Sequence, residues 1–144
     1  MQRAPSRSVY DGPGPMKAAD LRPGGRYELH DGHPICCAPT GGDGARSTLA
    51  GAEVLGSDPA VEEAGIDAGY SPSPGTLRAP NVSIGNVPDR RGWIEGAPPL
   101  ALEYAASGQE EDELQAQIAD LLAAGTRHVG VVRLVGPRPV EVLG

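Results

Sequence analysis

The sequence predicts an α+β fold: a central mixed β-sheet with helices packed against it. Three observations predict it. "RYELHDGHPICC" places alternating apolar residues around an Asp-Gly pair, the pattern of a two-residue hairpin. The C-terminal third reads as strand, capped helix, strand, strand. The predicted elements follow the order α, β-hairpin, α, β, β, β, α, β, β, so helices and strands are mixed along the chain.

Residues 1–14 are polar and rich in Gly and Pro, and read as a flexible N-terminal tail. Residues 15–144 then form one domain. Pro15–Leu21 suits one short helix, with proline in the first turn where its missing N–H does no harm. In the hairpin, Tyr27 and Leu29 alternate with polar neighbours, Asp31-Gly32 makes the turn, and Ile35 lies on the return strand. Ala45, Leu49, Ala52 and Leu55 fall at helical spacing and predict a helix over Asp43–Leu55. Ser57–Gly75 reads as one irregular strand followed by the "SPSPG" turn. "LRAPNVSI", Leu77–Ile84, predicts a strand, and the mostly apolar Pro99–Tyr104 predicts a buried one.

The strongest helix signal follows. Ser107 and Glu110 have capping-box spacing, and the acids Glu110–Glu113 suit the positive end of the helix dipole. Leu114, Ile118, Leu121 and Leu122 supply the apolar stripe, and Gly125 is a natural stop. "HVGVVRLV", the turn "GPRP" and "VEVL" then give the last two strands.

The composition restricts function. The 144 residues suit one modest core, and with Phe 0 and Trp 1 that core is built from Ala, Val, Leu and Ile. Such a core gains from a partner. A net charge of −7 and a pI near 4.8 argue against general nucleic-acid binding, which Lys and Arg drive. Lys17 is the only lysine, so chemistry that needs one has no other source. Cys36 and Cys37 are adjacent, which disfavours a structural disulfide, and they lack companions at metal-ligand spacing. They read as a strand pair with one side chain in and one out. Neither a secretory signal nor a run of spanning length is present, so a cytoplasmic location off the membrane is the expectation.

Three pieces resemble the Uma family of proposed restriction endonucleases, within the PD-(D/E)XK nuclease superfamily: "GRYELHDGHPI", "APNVSIG", and the C-terminal half from "GAPPLALEYA" through "LLAAGTRHVGVV" to "VEVL". The resemblance spans Pro15 to Leu143 and implies a restriction-endonuclease-like core. It also implies metal-assisted phosphodiester hydrolysis, with an Asp and a Glu holding Mg²⁺ and a Lys stabilising charge. The family's hairpin Glu corresponds to Glu28 and its second metal acid to Glu103. Its strand Asp falls on Asn81. The superfamily's Lys position falls on Ala105, and the helix position that carries it in this branch falls on Gln117. Two charged groups are thus replaced by neutral ones. Any metal would rest weakly on Glu28 and Glu103.

Ordinary structural readings stand beside these. Glu103 in an apolar strand could pair with an arginine, and Glu28 could be solvated. Asn81 after Pro80 suits a turn, and Gln117 suits a helix surface. Arg90, Arg91 and Trp93 could stack on bases, and with Arg78 they would form a basic stripe if DNA binding survives. His30 and His33 flank the hairpin turn and His128 begins a strand; their spacing unites them in no site. The leading expectation is a non-catalytic protein of the Uma-type fold without cofactor, acting as a protein-binding, regulatory or assembly module. A homo-oligomer or another protein is the expected partner. The competing expectation is a divergent Mg²⁺-dependent DNA endonuclease.

Overall fold

The structure is a computed structural model that describes residues 15–105, 111–134 and 140–144. The expected tail, the Ser107–Glu110 capping box and the "GPRP" turn lie outside the described residues. Strands β1 (Tyr27–His30) and β2 (His33–Cys36) form the hairpin, with Tyr27 opposite Cys36 and His30 opposite His33. Asp31 and Gly32 take φ of 48° and 79°, the two positive values of a type I′ turn. This hairpin is a separate two-stranded sheet.

The main sheet has five strands in sequence order: β3 (Ala64–Ile66), β4 (Val82–Ile84), β5 (Leu100–Ala105), β6 (His128–Arg133) and β7 (Val140–Leu143). Only β5 and β6 are parallel. A parallel pair needs a crossover, and helix α2 (Glu111–Ala124) supplies it. Alternation along β5 sends Ala101, Glu103 and Ala105 toward α2, where Ala101 and Ala105 pack with Val129, Val131, Leu114, Ile118 and Leu121. Gly125, at φ 115°, ends α2 as expected. Helix α1 (Gly42–Gly56) lies on β3, β4 and β5. Among the described residues, no helix is long and apolar enough to cross a membrane.

Four local expectations change. The Pro15–Leu21 helix shrinks to a 3-10 turn at Ala18–Asp20. Its backbone donors are drawn into tertiary bonds, from Met16 to the Gly32 carbonyl and from Ala18 to that of Pro74. The strand expected over Leu77–Ile84 divides at Pro80, which has no N–H for a ladder. Leu77 exchanges backbone bonds with Leu29, Arg78 exchanges them with Tyr70, and only Val82–Ile84 joins the main sheet. The strand within Ser57–Gly75 shortens to Ala64–Ile66. Helix α1 forms, but Leu49 is 55% exposed, because Gly51 is the residue that faces β5.

A second cluster, Ala18, Leu29 and Leu77 with Met16, Leu21 and Trp93 packed on it, joins the hairpin to the body of the protein. The Trp93 indole N–H donates to the Ala18 carbonyl at 2.9 Å, so this ring is a packing element.

Candidate functional site

Five segments converge between the hairpin and α2. Alternation on β1 buries Leu29 completely and turns Glu28 and His30 the other way, toward α2. On α2, Glu113, Gln117 and Asp120 follow helical spacing and share one face. The bridge of Leu77–Arg78 to Leu29 and Tyr70 delivers Arg78 between them. Glu103 enters from the middle of β5, and Asn81 stands just before β4.

Arg78 is the centre of the arrangement and is only 1% exposed. Its Nε donates to Asp120 Oδ2 at 2.9 Å, and its Nη1 lies 3.0 Å from Glu113 Oε2 and 3.4 Å from Glu28 Oε1. Burial works against the guanidinium charge, but its hydrogen bonds to Glu113 and Asp120, with the Glu113 and Glu28 charges, outweigh it and hold its pKa above the ordinary value. Asp120 Oδ2 is also 2.8 Å from His30 Nδ1. The Cys37 thiol donates to Glu28 Oε2 at 3.3 Å. Burial raises the pKa of Glu28, against the pull of Arg78. It raises that of Cys37 as well, with the Glu28 charge adding to the effect.

Glu103 is 3% exposed, and its Oε2 has no hydrogen-bond partner. Burial raises its pKa well above the carboxylate range, and the neighbouring Glu28 raises it further; the Asn81 backbone N–H and Arg78 pull the other way. The Asn81 side chain is committed elsewhere, its Oδ1 accepting the Tyr104 backbone N–H at 2.8 Å.

Of the predicted positions, Glu28 joins the Arg78 cluster and Glu103 lies close enough to Glu28 and Arg78 to feel both charges, whereas the Asn81 side chain is turned to the Tyr104 backbone and Gln117 is buried on α2. The structure adds Arg78, Glu113, Asp120 and His30. A sequence signal for the α2 pair existed: Glu113 and Asp120 border the Leu114, Ile118 and Leu121 stripe. Arg78 carried none, since only the fold turns it inward. Its burial also removes it from the basic stripe expected with Arg90 and Arg91, both of which are exposed. Among the described residues, no three His, Cys, Asp or Glu side chains group so as to hold a metal ion.

No family model and no curated protein matches the chain. Among solved structures it is similar to the crystal structure of a "putative nuclease belonging to DUF820" from Anabaena variabilis ATCC 29413. The TM-score is 0.69 at 15% sequence identity, covering 90% of this chain and 84% of the other. The fold is nuclease-like. The chain shares that protein's fold, and the α+β core with a central mixed sheet expected from the sequence is present.

Proposed function

We propose that this chain is a non-catalytic protein of the nuclease-like fold, serving as a protein-binding or assembly module. One observation carries the reading: a buried arginine sits among the carboxylates where a hydrolytic metal would need to be. The Arg78 guanidinium supplies the cation to Glu28, Glu113 and Asp120. A divalent ion beside it would meet like charge at close range. Asn81 offers a neutral oxygen that already accepts a backbone bond, and Gln117 gives no positive charge for a phosphate. Exposed Val140 and Val142 on the edge strand β7 support a role in association.

The second reading is the divergent Mg²⁺-dependent endonuclease. What favours it is Glu103 Oε2, buried and without a partner, together with the nuclease-like fold. Calorimetric titration of Mg²⁺ and Mn²⁺ into the wild type and Glu103→Ala separates the two. The non-catalytic reading expects no saturable heat at millimolar metal. Saturable binding that vanishes in Glu103→Ala would reverse the order, and Asn81→Asp would then be the variant to assay for DNA cleavage.

A further inference from the structure

The hairpin turn carries a second constellation, which borders the Arg78 cluster through His30 and Asp120. His30 and His33 are directly opposed in the β1–β2 register, so their side chains leave the same face. Directly opposite residues in an antiparallel pair have Cβ atoms about 5 Å apart. Two imidazoles at that separation can close on one metal ion. Sequence spacing alone hides this, because only the two-residue turn makes the pair neighbours.

The turn is held rigidly. The Gly32 N–H donates to the Gly75 carbonyl at 2.8 Å, and the Gly32 carbonyl accepts from Met16 at 2.8 Å. A side chain at Gly32 would overlap Pro15, so the backbone here is packed on two sides. The His pair therefore stands on a fixed base, which lowers the ordering cost of binding.

His30 is also oriented. Its Nδ1 is 2.8 Å from Asp120 Oδ2, whose carboxylate is in turn bonded to Arg78 Nε at 2.9 Å. A carboxylate engaged by arginine accepts, so Nδ1 carries the proton and Nε2 keeps its lone pair in the neutral ring. Metal-ligating histidines characteristically donate their other N–H to a carboxylate in this way. The His30 side chain is 49% exposed and His33 is exposed, leaving the outer positions open to water or a further ligand.

We infer that His30 and His33 form a two-imidazole chelate for a borderline divalent transition metal such as Zn²⁺ or Ni²⁺, with Asp120 positioning His30. Hard Mg²⁺ is not its ion, since imidazole selects the borderline metals. The inference is independent of whether the Glu28 and Glu103 centre is catalytic.

The test uses the full chain without an affinity tag. Calorimetry with Zn²⁺ and with Ni²⁺ is expected to give one equivalent per chain. His30→Gln and His33→Gln each weaken binding by roughly tenfold or more, while His128→Gln and Cys36→Ser leave it unchanged. In the wild type, two-bond ¹H–¹⁵N spectra show His30 as the Nδ1–H tautomer before metal. The His30 and His33 ring nitrogens then shift on adding Zn²⁺, and those of His128 do not. Asp120→Asn removes the tautomer preference at His30 and weakens Zn²⁺ binding severalfold with the stoichiometry kept, and the loss of affinity is what a merely structural contact would not produce. Absence of saturable binding, wild-type affinity in either His variant, or loss confined to Cys36→Ser would each overturn the assignment.

Discussion

Arg78 gives the polar centre its stability and its pH response. Removing it leaves Glu28, Glu113 and Asp120 facing one another with no cation between them. Breaking a buried ion pair from one side costs about 3–5 kcal/mol. Arg78→Met is therefore expected to lower unfolding free energy by about that much in urea titrations near neutral pH. Acidification should relieve part of the loss as the carboxyls protonate. Glu103 makes a separate prediction in the wild type. Its folded pKa lies above the unfolded value, so between the two the native state holds the extra proton. Stability from this group is full below the unfolded pKa and is lost as pH rises through the folded one. Glu103→Gln cannot ionise, so its melting temperature, followed from mildly acidic to mildly alkaline pH, should fall less than that of the wild type. Parallel curves would show that Glu103 does not titrate in that window.

Helix α1 shows how an element can be legible while its orientation is not. The apolar residues Ala45, Leu49, Ala52 and Leu55 predict the helix correctly, but Leu49 is exposed and the contact with β5 is made at Gly51. Small residues let the helix approach β5 closely, and hydrophobic periodicity cannot see a contact made by the absence of a side chain. A Cβ at Gly51 would overlap the Tyr104 hydroxyl and lie 3.3 Å from Leu102 Cδ1. Gly51→Ala sets two effects against each other. Alanine gains about 1 kcal/mol of helix propensity, whereas overpacking costs about 1–3 kcal/mol. We expect net destabilisation in denaturant melts with helical circular dichroism retained. The double variant Gly51→Ala/Tyr104→Phe should recover much of the loss. The strand division at Pro80 was equally readable in principle, since proline ends a ladder. The Leu29–Leu77 pairing was not, because nothing local in sequence announces a contact between the hairpin and residues so distant along the chain.

At the scale of the molecule, the sheet is covered unevenly. Helix α2 packs across the core on one face, while α1 on the other packs on β3, β4 and β5. Among the described residues, no helix covers that second face toward β7, where Val140 is 58% and Val142 is 70% exposed. Glu141 points the opposite way and accepts from Arg133 Nε at 2.8 Å, so alternation leaves the valines on one side without a charged neighbour between them there. Edge strands normally carry charge or are covered, since a bare apolar edge pairs with other chains. The lack of phenylalanine is legible in the sequence; only the three-dimensional arrangement shows where apolar side chains lie exposed. We expect the protein to self-associate through β7, with sedimentation velocity showing a concentration-dependent heavier species. Val142→Lys should shift that equilibrium toward the monomer by placing like charges face to face across a symmetric contact. Folding should change by no more than about 0.5 kcal/mol, because the side chain is exposed in the single chain. A wild type that stays monomeric at every concentration would remove self-association from the proposed role. The apolar edge would then have to serve a different protein.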